Sequence, residues 1–140
     1  MAETFTVNPQ IQQAAEILAR GAVEDAKDIF EISLDWSDAS IQLVEQILGE
    51  LHDELAQTSF SEEQIFELAK TYGSYIGEVF RRNHGASWGI ISLQGQSVPG
   101  LQAAQTPNVF WPWIKANERL TAGPEDNVWH YYQHLLEKHG

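Results

Sequence analysis

The sequence predicts an α+β fold. One domain spans residues 1–140, with about five helices packed on a small, largely antiparallel sheet of three to four strands. Two observations support this prediction. Helical segments come in pairs around a few strand-like segments, without the strand–helix alternation of a parallel sheet. The chain has 140 residues, of which 43% are hydrophobic, so it can bury a substantial core.

The segment from Phe60 to Leu93 is predicted to form the central helix and a strand that packs on it. Ser61 and Gln64 make a capping box, the pattern that marks a helix start. Apolar residues then recur at three- and four-residue spacing, which indicates one buried side. Gly85 is suited to ending the helix.

Two glycines, Gly73 and Gly77, lie one turn apart inside this predicted helix. A glycine in a helix interior costs about 1 kcal/mol relative to alanine. Such glycines usually have a packing reason, so we expect another element to contact both of them closely.

The N-terminal segment is predicted to begin with a loose arm or short edge strand at residues 1–7. Asn8, followed by a proline, then caps a helix. Gly21 is expected to end or kink this helix, and residues 22–27 to form a second short helical piece.

Residues 30–36 alternate between apolar and polar side chains, which predicts a strand with one buried face. Ser37 is predicted to cap the next helix, which extends to about Ala56.

The segment after the central helix is predicted to form most of the sheet. Residues 88–93 are almost continuously apolar and indicate a central strand. A turn at 94–97 leads to a second strand at 98–104, which Pro99 weakens or moves to an edge. Another short strand is expected at 108–111.

Two helices are predicted at the C-terminus. The first starts at Pro112 and ends near Gly123, and the last begins at Pro124.

The charge of the chain is strongly negative and unevenly placed. The net charge is −12; residues 1–67 contain 15 acids and two bases, whereas the remainder contains five acids and six bases. This sign argues against nucleic acid or an anionic membrane as the partner and favours a basic protein. The alternative is an acidic surface that serves solubility alone.

Cysteine is absent, which excludes disulfides and thiol catalysis. We recognise neither a signal peptide nor a segment apolar enough to span a bilayer, so a cytoplasmic protein is expected. No cofactor is predicted. His130 and His134 lie one turn apart, a spacing that zinc can use, but a solvated polar helix face is the favoured interpretation and no metal is predicted.

The aromatic residues near the C-terminus provide the strongest indication of a binding surface, because tryptophan favours interfaces. The candidate surface residues are the tryptophans Trp88, Trp111, Trp113 and Trp129 and the acids Glu45, Asp53 and Glu54. No catalytic residue is predicted, since no pair of acids stands out as an acid–base couple.

Three short stretches of the chain together form a pattern. They are Leu34-Asp35-Trp36-Ser37 with Ser40, Gly73 to Val79 followed by Arg81, Arg82, Gly85 and Trp88, and Lys115 to Leu120 with Gly123, Asp126 and Val128 up to Tyr132. In these stretches the chain resembles a loosely defined family of small bacterial proteins known only as a domain of unknown function. The resemblance implies a bacterial, cytosolic, single-domain protein and no particular activity.

Three hypotheses of function follow. The leading one is a non-enzymatic protein-interaction domain, similar in kind to an antitoxin or immunity protein, that binds a basic partner. The second is a small-molecule-binding protein or enzyme with a cleft near Gly73, Trp88 and Trp113. The third is a structural homodimer whose interface uses the aromatic surface.

Overall fold

The fold is the predicted α+β architecture, described here in a computed structural model that defines residues 4–139. Within these residues, five α-helices pack on a four-stranded antiparallel sheet. In chain order the elements are β1 (Thr4–Val7), α1 (Pro9–Phe30), α2 (Ile41–Leu55), α3 (Glu62–His84), β2 (Ala86–Leu93), β3 (Gln96–Ala103), β4 (Val109–Phe110), α4 (Pro112–Thr121) and α5 (Val128–His139). Short 3₁₀ turns at Asp38–Ser40 and Pro124–Asp126 precede α2 and α5.

Helix α3 is the centre of the molecule. Its capping box is present: the Ser61 hydroxyl accepts from the Gln64 backbone N–H at 3.0 Å, and the Gln64 side chain accepts from the Ser61 N–H at 2.8 Å. Every residue from Tyr72 to Phe80 is buried. The helix ends at His84 before Gly85, whose φ of 87° favours glycine. The prediction of a central helix is therefore confirmed.

Helix α1 is longer than expected. It continues through Gly21 to Phe30, so the predicted break at Gly21 is wrong. A stripe of fully buried alanines runs past the glycine and packs against α3: Ala15, Ala19, Ala22 and Ala26. Small side chains allow two helices to approach closely, and this packing outweighs the cost of one glycine.

The predicted strand at residues 30–36 is also wrong. Phe30 ends α1, Glu31 adopts a left-handed φ of 58°, and residues 31–35 pair with no strand. The alternation instead reflects burial, because Leu34 is buried whereas Ser33 and Asp35 are exposed. Period-two patterning therefore identified alternating burial but not membership in a sheet.

The sheet has the order β1-β2-β3-β4, and β2 is internal as predicted. Gln94 and Gly95 form the two-residue turn between β2 and β3, both with positive φ, as a tight hairpin requires. Strand β3 is internal and not an edge, because β4 pairs with it at Leu101 and Gln102. Pro99 lies outside that pairing, so it interrupts no hydrogen bond to β4.

The helices cover one face of the sheet. Trp88 and Leu101 lie opposite one another on β2 and β3 and both contact the place where a side chain of Gly77 would be. Side chains alternate along a strand, so Phe5, Ile91 and Val98 point to the other face. We call this second surface the open face.

Candidate functional site

The cleft proposed near Gly73, Trp88 and Trp113 does not exist. Trp88 is fully buried and Trp113 is 7% exposed, so neither belongs to a free binding surface. A Cβ atom on Gly73 would lie 2.7 Å from the Pro112 carbonyl oxygen, and one on Gly77 would lie 2.4 Å from the Trp88 ring. The two glycines are closely covered, as predicted, and the region is core.

The two buried tryptophans are held by polar partners on α3. The Trp113 indole donates to the Ser74 hydroxyl at 2.8 Å, and the Trp88 indole donates to the Glu78 carboxylate at 2.9 Å. Glu78 is fully buried, and its main cation is Arg81, at 2.6 Å. Burial acts to raise the pKa of Glu78, but the hydrogen bonds from Arg81 and Trp88 and the nearby positive charges outweigh it, so the pKa is lowered.

A second polar cluster fixes the turn before α2. The Asp38 carboxylate accepts hydrogen bonds from Tyr132 and Asn83 and lies 2.9 Å from His84. Partial burial acts to raise the pKa of Asp38, but these hydrogen bonds lower it. Burial and the neighbouring Asp38 raise the pKa of Tyr132, so this hydroxyl remains a donor. The cluster joins three elements that are far apart in sequence.

Trp36, just before this turn, has a positive φ of 67°, which is uncommon for a residue with a side chain. Its N–H donates to the Tyr75 hydroxyl at 2.8 Å, and its carbonyl accepts from Asn83 at 3.0 Å. The Arg82 guanidinium lies 3.7 Å from the centre of its ring. These contacts hold the backbone of Trp36 in its strained conformation, so the strain has a structural explanation.

Glu45, one of the candidate surface acids, has an internal role. It pairs with the buried Arg119 at 2.8 Å and accepts the backbone N–H of Val128 at 2.9 Å. Asp53 and Glu54 are exposed, as a role in binding requires. Glu45 is therefore withdrawn from the candidate surface, whereas Asp53 and Glu54 remain.

The exposed acids greatly outnumber the exposed bases. Five of the eight bases are occupied in ion pairs: Lys70, Arg81, Arg82, Lys115 and Arg119. Within residues 4–139, thirteen acids are exposed and have no cationic partner: Glu24, Asp25, Asp28, Glu31, Asp35, Glu50, Asp53, Glu54, Glu62, Glu63, Glu118, Glu125 and Glu137. The negative charge is therefore available at the surface.

One of these acids lines a groove formed by the end of α2, the start of α3 and the end of α4, and others lie near it. Two adjoining cavities of about 320 Å³ each share Ile65 and Thr121 in their lining. Leu55, Ile65, Phe66 and Leu120 supply the apolar floor, and Glu62 lines one side.

Three further acids lie near this groove without lining it. Asp53 and Glu54 are exposed on the last turn of α2, on other sides of the helix from the lining residues His52 and Leu55, and the Glu125 carboxylate lies beside Gly123, which His52 also approaches. We call Asp53, Glu54, Glu62 and Glu125 the rim, and the floor together with the rim the acidic groove.

One base, Lys70, lies beside the acidic groove. Its ammonium is 5.7 Å from the centre of the Phe66 ring and 2.9 Å from the carboxylate of Glu67. Because Lys70 is paired with an acid, it does not offset the charge of the rim.

Trp111 belongs to a different surface, the open face. With Ile91, Val98 and Ile114 it lines a cavity of about 390 Å³, and Gln94 and Gln96 line the end near the hairpin turn. The sequence carries a signal for this surface, because no Asp, Glu, Lys or Arg occurs between Arg82 and Lys115.

The remaining candidates lie on α5. Trp129 is half-buried and packs against the core, and it does not line the cavity beside Trp111. His130 and His134 are exposed, on the polar side of the helix. Among the described residues, no group of three or more His, Asp or Glu side chains is placed to hold a metal ion.

Within residues 4–139, none of the helices combines the length and apolar character needed to cross a bilayer.

Comparison with known proteins identifies a similar fold. A crystal structure from Bacteroides thetaiotaomicron VPI-5482, determined at 1.50 Å, superposes with a TM-score of 0.68 and 13% sequence identity. The alignment covers 99% of this chain and 49% of that one, so the chain spans about half the length of the matched protein. At this identity the likeness shows the fold alone. Neither a family model nor a curated protein matches the chain.

Proposed function

We propose that this protein is a non-enzymatic protein-interaction domain that binds a basic partner in the acidic groove. The observation that carries the proposal is an apolar floor with unpaired acids at it and near it. The floor consists of Leu55, Ile65, Phe66 and Leu120. Glu62 lines the floor, and the exposed acids Asp53, Glu54 and Glu125 lie on the neighbouring turns.

The two parts of the groove have different roles in binding. Apolar side chains of a partner that fill the floor supply affinity, because apolar area removed from water contributes about 25 cal/mol per Å². The acids of the rim attract a cationic partner and repel anionic competitors, which raises the association rate and the specificity. A basic, amphipathic segment of a protein satisfies both requirements.

The excess of charge is consistent with this role. Exposed like charges repel one another in the folded state and so carry a stability cost. A net charge of magnitude about 2–8 already keeps a small domain soluble, and this chain has −12. A basic partner gives the remaining charge a function.

The resemblance in the three motif stretches remains part of the proposal. On this basis we propose that the chain is a bacterial, cytoplasmic protein related to a family without an assigned activity. An antitoxin- or immunity-like protein is the form of interaction domain that best combines an acidic surface with a basic partner.

Site-specific photo-crosslinking in the source cells tests the proposal. A photoreactive amino acid replaces Phe66 in the acidic groove, and the control variant carries it at Ile17, an exposed position on α1. We expect one basic protein to be captured from Phe66 and not from Ile17. Capture of an acidic or neutral protein, or equal capture from both positions, contradicts the proposal.

A further inference from the structure

The open face has the composition of an interface but cannot attract a charged partner. We propose that a second copy of this chain binds there, so that two sheets pack face to face. This inference is independent of the acidic groove, which lies at the end of the helical layer.

The first argument is the apolar centre of the open face. Ile91, Val98, Trp111 and Ile114 line one cavity, in which Ile91 is already covered by its neighbours and Ile114 is 39% exposed. Val7, at 58%, lies on the same face of β1 but does not line the cavity. Apolar residues that line one surface cavity together are typical of an interaction site.

Glycines make the open face flat enough for a partner to approach. Gly89 and Gly100 lie opposite each other on β2 and β3. A Cβ on Gly89 would meet the ring of Phe5 at 2.7 Å, and one on Gly100 would meet Ile91 at 2.5 Å. Without Cβ atoms, these larger side chains lie down over the strands. Two twisted sheets with such inner faces pack about 10 Å apart.

The second argument is charge. A copy of this chain carries −12, so most approaches of two copies bring acids together. The β2–β4 segment contains no Asp, Glu, Lys or Arg from Ala86 to Ile114, and none of the cavity residues is charged. Contact through the open face therefore brings together two copies of a surface whose strands β2 to β4 and cavity carry no acid.

The third argument is symmetry. In a two-fold dimer the same patch meets itself, so every charge on it would face a like charge near the axis. A patch of apolar residues, Trp111 and the amides of Gln94 and Gln96 is self-complementary, because an amide both donates and accepts hydrogen bonds. Interface cores are likewise depleted in charge and enriched in aromatic residues.

Sedimentation equilibrium of the intact chain tests the proposal. We expect a mass of twice 15.8 kDa at micromolar or higher concentration. Dimerisation should tighten as salt rises, because salt screens the repulsion between two acidic copies. Binding of a basic partner should weaken under the same change, so a failure of this inference and a failure of the proposed function are distinguishable.

Two isoleucines provide matched variants. Ile114→Lys places a charge on the open face, whereas Ile17→Lys places the same charge on an exposed site of α1. We expect the first to raise the dimer dissociation constant by about tenfold or more and the second to leave it unchanged. Val98→Lys serves as a second variant on the open face if circular dichroism shows that Ile114→Lys does not fold.

Three outcomes overturn the proposal. A monomer at all concentrations and salt levels rejects a second copy as the occupant of the open face. If neither Ile114→Lys nor Val98→Lys changes the dimer dissociation constant, the dimer uses another surface. Equal weakening by Ile17→Lys also rejects the open face as the interface.

Discussion

The packing around Gly77 predicts that replacing this glycine by alanine, a change that normally stabilises a helix, destabilises the protein. Replacing a helix-interior glycine by alanine normally gains about 1 kcal/mol. At Gly77, however, the added Cβ would lie 2.4 and 2.6 Å from two atoms of the Trp88 ring and 2.9 Å from Leu101. The ring cannot move aside easily, because Trp88 is fully buried and its indole N–H is bonded to Glu78.

Overpacking of this kind costs about 1–3 kcal/mol or more, which matches or exceeds the gain in helix propensity. Contacts of 2.4–2.9 Å place Gly77 in the upper part of that range, at about 2–3 kcal/mol. After the gain of about 1 kcal/mol in helix propensity, we expect Gly77→Ala to lower the free energy of unfolding by about 1–2 kcal/mol, measured by urea denaturation with circular dichroism. Gly77→Leu adds more volume and should cost more.

Gly21→Ala is the matched control, because a Cβ there meets nothing within 4 Å. It should raise the stability by about 0.5–1 kcal/mol. If Gly77→Ala is as stable as Gly21→Ala, the close contact between α3 and the sheet is wrong.

Further predictions concern the buried charges and the exposed histidines. Because the pKa of Glu78 is lower in the folded state than its ordinary value of 4.5, its stabilising contribution is complete above that value and is lost as the pH falls. The Glu78→Gln variant should therefore be less stable than the wild type at pH 7 and should lose less stability than the wild type as the pH falls. Thermal melts from pH 7 to pH 3 measure both effects. If the variant and the wild type lose stability equally in acid, Glu78 is not the group responsible. Glu45→Ala leaves the buried Arg119 without its carboxylate, so it should lower the free energy of unfolding, measured by urea denaturation, by about 3 kcal/mol. The control is Glu50→Ala, at an exposed site on the same helix, which should lower it by about 0.5 kcal/mol or less. Protein purified without a histidine tag should contain well under one equivalent of zinc, since His130 and His134 lack a supporting shell; stoichiometric zinc that His134→Ala removes would contradict this.

The sequence was informative wherever a local pattern determines a local structure. The Ser61–Gln64 capping box, the tight turn at Gln94-Gly95 and the helix starts at Asn8 and Pro112 depend on residues within a few positions of one another. Such signals act before any tertiary contact forms, so they can be recognised in one sequence.

Two errors in secondary structure, in α1 and in the segment after it, arose where tertiary packing decides. Gly21 does not interrupt α1, because the buried alanine stripe against α3 continues on both sides of it. Residues 31–35 pair with no strand, and alternation alone cannot distinguish a strand in a sheet from an irregular segment with one buried side.

The candidate site was predicted only in part, for a similar reason. Asp53 and Glu54 were identified from the charge distribution, but the floor of the acidic groove combines Leu55, Ile65 and Leu120 from three helices. No pattern in the sequence predicts that these residues lie together. Glu45 has the same charge as Asp53, and only its contact with Arg119 shows that it is internal.

The central claim is that the acidic groove attracts a basic partner, and the association rate of the captured partner tests it most directly. Stopped-flow rates at about 50 and 500 mM salt should fall by about tenfold or more for the wild type, since exposed charges are screened over about 10 Å at 0.1 M. Asp53→Lys with Glu54→Lys should slow association and flatten the salt dependence.

The matched control is Glu24→Lys with Asp28→Lys, which makes the same change in net charge at exposed sites on α1. It should retain most of the wild-type rate and salt dependence. A rate that is indifferent to salt, or equal effects of the two double variants, would contradict the acidic groove as the binding site.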